Sequence, residues 1–307
     1  MDFIENEVHR LLDSSLASST LATYKRGVNS FDSFRREVGF NSQWPAPVQH
    51  VVAFIAHLSI EGKSPSSIST YSSALAYVHK LNGWSNPCDN FIIKKLKEGA
   101  RRTGRQPDSR RPISLTMLRQ LSHNLSGICS STYETTVFRT AFLLAFFGFL
   151  RVGEFTALSN NAHAHNILSI GDIHLTHDSL SVTIRFSKTD QRGRSTTLHF
   201  SKGPETILCP VTAMRCYLDV RPCKAGPLFI HFAGNPLTRY QFGQILTRSV
   251  SAMGLSPTNF SSHSFRIGAA TSAAVSGIPI DTIKSMGRWQ SSAVNSYIRP
   301  HRILNVW

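Results

Sequence analysis

From Arg151 onward, this 307-residue chain sets out the side chains needed to attack a phosphodiester without metal. His263-Ser264-Phe265-Arg266 is followed by Gly287-Arg288-Trp289 and then by Tyr297, with Arg151 and Lys188 upstream. Arg151 and Arg266 offer two guanidiniums, and the others an ammonium, an imidazole, an indole N–H and a phenol. A tyrosine hydroxyl with an unperturbed pKa of about 10 is a poor nucleophile. It needs cationic and hydrogen-bonding neighbours before it can attack phosphorus. Each residue also has an ordinary alternative. Arg151 can pair with Glu154 within one turn, and the HxxR pair can be a capping histidine with a surface arginine. Lys188 can be a solvated turn lysine, and Trp289 and Tyr297 can be core.

The elements that must position these groups are mostly helical, with one small antiparallel sheet. The first hundred residues read as a helical bundle. One helix starts near Ser19-Thr20, carries Leu21, Tyr24, Val28 and Phe31 at three- and four-residue spacing, and ends before Gly39. A second runs from about Pro47 to Glu61, with Val51, Val52, Ile55 and Leu58 inward. A third begins at Ser64-Pro65, a good cap and first-turn pair, and stops at Asn82-Gly83. Lys94, Lys95, Lys97, Arg101, Arg102, Arg105, Arg110 and Arg111 form a basic stretch that Gly104 and Pro107 interrupt. The spacing predicts a bundle over 1–100, a basic linker over 101–111 that is either a phosphate-crossing strap or a solvated hinge, and a second domain over 112–307.

In that second domain a helix follows Pro112-Ile113-Ser114, and a longer one covers about Ser131 to Phe147. The period then changes. Ile167–Ile173, Ser181–Ser187 and Thr196–Phe200 alternate or are rich in β-branched residues, with Asp190–Gly193 as a turn. Helices resume at about Val211–Val220, Thr238–Met253, 263–276 and 279–286, and a short final helix is expected to carry Tyr297.

Composition limits the partners. A formal charge of +15 favours a polyanion, nucleic acid before acidic membrane. Residues 1–110 hold 14 Lys/Arg against 10 Asp/Glu, and 111–307 hold 19 against 8, so the excess lies beside the candidate chemistry. Five cysteines without a CxxC pair predict reduced thiols and neither a zinc site nor a disulfide framework. Asp2, Glu5 and Glu7 stand where a signal peptide would be basic. Ala141–Leu150, the most apolar run, is too short to span a bilayer, so no membrane association is expected.

The strings Phe149-Leu150-Arg151-Val152-Gly153-Glu154, Ser187-Lys188-Thr189-Asp190, His263-Ser264-Phe265-Arg266-Ile267-Gly268 and Gly287-Arg288-Trp289 through Tyr297-Ile298-Arg299 resemble, in order, those of the tyrosine recombinases. These are the integrases of the phage and Cre/Xer type. The Gly-Arg-Trp string is most similar to the eukaryotic Crypton, DIRS and Ngaro mobile-element branch. The resemblance implies a SAM-like core-binding bundle followed by an α+β catalytic domain of the DNA breaking-rejoining type. It implies Arg151 and Arg266 on the non-bridging phosphate oxygens, since guanidinium forks match phosphate bidentately. His263 would act as acid/base or donor near the phenol, and Lys188, on a hairpin turn, as general acid to the leaving 5′ oxygen. Glu154 would orient other side chains. Tyr297 would form a 3′-phosphotyrosyl link. The His/Trp slot is contested: a nine-residue spacing to the tyrosine selects Arg288, whereas Gly-Arg-Trp selects Trp289, which we prefer.

The chain is thus expected to cleave and rejoin specific double-stranded DNA, as dimers that pair into a tetramer, in a nucleus if the mobile-element branch holds. No cofactor is expected. Pro300 and the ten residues after Tyr297 leave little room for a docking helix. Two rivals remain: a type IB topoisomerase, betrayed by relaxation of supercoils without site preference, and a domesticated DNA-binding protein that has lost the reaction.

Overall fold

The computed structural model describes residues 2–104, 108–159, 167–185 and 195–302. Two compact units divide the chain, Met1–Asp108 and Ser109–Trp307. The first opens with α1, Asp2–Ser14, whose Phe3, Ile4 and Leu11 are exposed. It continues with α2, Ser18–Glu37, and α3, Val48–Ile60. Next comes α4, Pro65–Leu81, whose cap Ser64 accepts the Ser67 N–H at 3.1 Å. The unit closes with α5, Phe91–Thr103, begun by Asn90 accepting the Ile92 N–H at 2.9 Å. Phe31, Val51, Phe54, Leu58, Leu75 and Ile93 fill the core between them. Of the residues expected inward on the second helix, Val51, Ile55 and Leu58 are buried and Val52 is half-buried against the core, while Phe54, which was not named, is buried too. The linker expected to start at residue 101 does not: Arg101–Thr103 are the last turn of α5. The helix runs on through Gly99 and ends only at Gly104, whose N–H donates to Ala100 C=O at 2.9 Å.

The second unit begins with α6, Leu115–Ile128, and α7, Thr132–Phe147. Ser131 caps α7 by accepting the Glu134 N–H at 3.1 Å. From Val137 to Phe146 nearly every α7 side chain is buried, which makes the apolar run a central core helix. A single-turn helix, α8, spans Val152–Phe155. The sheet is antiparallel in the order β1 (Ile173–Leu175), β2 (Ser179–Ile184), β3 (Thr196–Ser201). Ile173 lies opposite Val182, and Ile184 opposite Thr196. The first strand expected from the sequence falls mostly before β1. Ile170–Asp172 is instead a 3₁₀ turn, because the Asp172 carboxylate accepts the Ser169 N–H at 2.8 Å and draws that stretch off the ladder.

Helices α9 (Pro210–Val220), α10 (Arg239–Ala252), α11 (His263–Val275) and α12 (Ile280–Met286) complete the unit. Tyr297 does not ride on a helix as expected. It follows a 3₁₀ turn, Ser292–Ser296, and its N–H donates to Val294 C=O at 2.9 Å. Pro300 disfavours helical backbone at Arg299, so the turn cannot extend.

Packing around α7 places the site. The Phe142 ring lies 5.2 Å from Phe242 and 5.0 Å from Phe265, which fixes α10 and α11 against the central helix. The segment before α6 is held against α11, where the Ile113 N–H donates to Ser264 C=O at 3.1 Å. The approach is so close that a Cβ at Gly268 would fall on the Ile113 carbonyl oxygen. Only glycine fits there.

Candidate active site

The turn after α7 brings Arg151 to the site. Phe149 adopts φ +48°, the left-handed region that costs a non-glycine residue about 1–2 kcal/mol. Such a residue persists only where its surroundings over-determine it. Here its carbonyl is the anchor, since it accepts Arg266 Nη1 and Arg288 Nη2, the latter at 3.3 Å. Arg151 then begins α8. Glu154, three residues on, accepts the Arg151 N–H at 2.9 Å and its Nη1 at 3.1 Å. The ion pair anticipated as the ordinary alternative for Arg151 is therefore present. It does not remove Arg151 from the site, because Glu154 is 5% exposed and Arg151 keeps 19% of its side chain open.

His263 and Arg266 lie one turn apart on α11, and both turn toward Tyr297. The His263 ring is 6.5 Å from the tyrosine ring, and the Arg266 guanidinium carbon lies 5.5 Å from the same ring's centre. Arg266 is 1% exposed. Besides Phe149 C=O, it donates from Nη2 to Gly287 C=O at 2.9 Å and lies 4.4 Å above the Trp289 ring. Such cation–π contacts are worth about 0.5–2 kcal/mol. Its Nε finds no partner among the described residues. Burial, and then the neighbouring Arg151 and Arg288 charges, push its pKa down to about 10.

The loop after α12 supplies the rest. Gly287 must be glycine, because a Cβ there would occupy the Trp289 ring. Trp289 is 7% exposed, packs edge-on to Phe149 and lies 4.9 Å from the Tyr297 ring. The indole, the Arg266 guanidinium and the tyrosine ring thus touch one another in a triangle. Arg288 turns the other way, at φ +56°. It donates to Gly148 C=O at 3.1 Å and pairs with Glu154 at 2.8 Å. Of the two residues competing for the slot, the indole faces the tyrosine and the guanidinium faces Glu154.

Thr271, which the sequence reading did not select, fixes the tyrosine backbone. Its hydroxyl lies 3.0 Å from Tyr297 C=O and accepts the Arg299 N–H at 3.0 Å. The available signal was its position, eight residues after His263 and so on one stripe of α11. Arg151, His263, Arg266, Trp289 and Tyr297 are thus brought together. Lys188 lies outside the described residues, although β2 and β3 on either side of it are paired. Among the described residues the cluster holds three guanidiniums against one carboxylate, an excess of positive charge on largely buried side chains. A phosphate charge about 4 Å from one guanidinium gains roughly 4 kcal/mol at an effective dielectric of about 20.

This geometry coincides with a match to known proteins. The phage integrase family matches residues 118–302, more than half of the chain. A phage integrase N-terminal SAM-like domain matches residues 9–84. An integrase/recombinase XerD homolog of Selenomonas ruminantium is 25% identical over 315 residues, covering 96% of this chain and 85% of that protein. Among solved structures, the XerH site-specific recombinase bound to palindromic difH substrate superposes with a TM-score of 0.64 at 16% identity, covering 90% of this chain and 74% of that one. A lambda integrase dimer bound to a COC′ core site gives 0.63 at 16% identity, covering 98% and 77%. At those identities the two structures establish the shared fold.

Proposed function

The chain belongs to the phage integrase family of tyrosine recombinases, and we propose that it recombines double-stranded DNA at specific sites through a covalent 3′-phosphotyrosyl intermediate. The observation that carries this reading is the convergence of His263, Arg266 and Trp289 on Tyr297, with Arg151 at the rim. Tyr297 Oη attacks the scissile phosphorus, and the bond from phosphorus to the 5′ oxygen breaks. The phenol's proton passes toward His263, and the departing 5′ oxygen takes a proton from Lys188. Negative charge grows on the non-bridging oxygens. Arg151, the more exposed guanidinium, contacts them directly, while Arg266 supplies charge from beneath. Oriented donors of this kind are worth about 2.7–4 kcal/mol each. Among the described residues the cluster's one carboxylate, Glu154, is occupied by Arg151 and Arg288, so the charge is met by the chain's own cations rather than by a pair of metal ions. The 5′ hydroxyl of a second duplex reverses the step and seals the new junction.

Residues 1–100 act as the core-binding domain on one face of the duplex, 112–307 as the catalytic domain on the other, and the basic stretch 101–111 crosses phosphates between them. Dimers on half-sites pair into tetramers. The Gly287-Arg288-Trp289 string supports kinship with the Crypton, DIRS and Ngaro elements and, with it, a nuclear setting.

Nicked duplexes selected from a randomised pool for covalent capture test the reading. Capture by the wild-type chain, loss in Tyr297→Phe and a reduction of roughly a hundredfold or more in Arg151→Ala are expected. An adduct that survives Tyr297→Phe would refute the nucleophile.

A further inference from the structure

We propose that Arg288 is a positioning residue that keeps Glu154 permanently paired and so frees Arg151 to move from that carboxylate to the scissile phosphate; this inference rests on the function proposed above. Family resemblance offered Arg288 only as a rival for the slot beside the tyrosine. The structure turns it inward, where it ties two turns together. Both turns contain a non-glycine residue in the left-handed region, Phe149 and Arg288 itself. From one guanidinium run bonds to Gly148 C=O, Phe149 C=O and Glu154 Oε2.

The division of Glu154 makes the rest follow. Its Oε2 receives Arg288 at 2.8 Å and the Arg151 N–H at 2.9 Å, while among the described residues Oε1 receives Arg151 Nη1 alone, at 3.1 Å. Arg288 keeps 9% of its side chain exposed and Arg151 19%, so Arg151 is the partner nearer to solvent and to an arriving phosphate. A buried carboxylate stripped of every cation is strongly penalised. Were Arg151 its sole partner, binding phosphate would impose that penalty. With Arg288 in place, Arg151 exchanges one acceptor for another.

Single-turnover capture on the nicked duplex, measured beside duplex affinity and thermal midpoint, tests the idea. The wild-type chain and Tyr297→Phe report whether the parent reading holds. The Arg288 series, normalised to wild type, reports on this inference. Arg288→Met should slow capture by about a hundredfold, the scale of a misplaced reacting group, while duplex affinity stays close to wild type. Glu154→Gln added to Arg288→Met should recover much of that loss, because no charge is then stranded when Arg151 departs, and glutamine can still cap α8. Losses that simply add in the double variant, or Arg288→Met capturing at the wild-type rate, would overturn the proposal. If Arg288→Met does not fold, Arg288→Lys replaces it. An ammonium cannot serve all three acceptors, so capture should again slow, and wild-type capture by the lysine variant would equally overturn the idea.

Discussion

At the scale of single residues, the site is an arrangement of cations that resist being together. Arg266 is buried beside two other guanidiniums, and its pKa is held down to about 10, well below the ordinary arginine value. Its charged form is therefore penalised in the free protein, with the full penalty present below pH 10 and relieved as pH rises through 10 toward the ordinary arginine range. A phosphate reverses the penalty and raises that pKa. The affinity advantage of wild type over Arg266→Gln for duplex DNA should accordingly be constant from pH 7 to 9 and shrink as pH passes about 10. Taking the ratio of the two chains cancels the lysines they share. An advantage that stays flat through pH 10.5 would mean that Arg266 does not meet phosphate. Trp289 has a matching logic: its ring packs against both Arg266 and Tyr297 and keeps a hydrocarbon face on each.

At the scale of elements, the strongest constraint is the contact between α11 and the segment before α6. Gly268→Ala would put a methyl on the Ile113 carbonyl. Overpacking of this kind costs about 1–3 kcal/mol. Thermal unfolding should show the loss, and capture should slow as well, since the displaced helix carries His263 and Arg266. Unchanged melting would contradict the packing described. The helices were legible in the sequence where caps and periodicity agreed, as at Ser64-Pro65 and Ser131. The apolar run Ala141–Leu150 declared a buried helix, and the HxxR spacing put two site residues on one face of α11. Other features depended on contacts between distant residues. The 3₁₀ turn at Ile170–Asp172 arises from a side chain competing with the ladder, which strand propensity does not register. The direction taken by Arg288 depends on a left-handed turn and on carbonyls some 140 positions away. The role of Thr271 depends on where Tyr297 ends up.

At the scale of the whole molecule, a chain of charge +15 built as two units is suited to a long polyanion. Most of its affinity should come from phosphate contacts and should fall steeply with salt. If the basic stretch crosses phosphates, Arg101→Gln combined with Arg105→Gln should make the slope of log affinity against log salt shallower by roughly 0.9 per contact removed. An unchanged slope would reduce the stretch to a hinge. The claim on which everything else depends is that the phenolic oxygen of Tyr297 carries the DNA strand. Tandem mass spectrometry of the protease-digested covalent adduct tests it most directly. The expected spectrum assigns a nucleotide, linked through its 3′ phosphate, to Tyr297 within the peptide that follows Trp289. A nucleotide on any other residue, or one joined through its 5′ phosphate, would contradict the account.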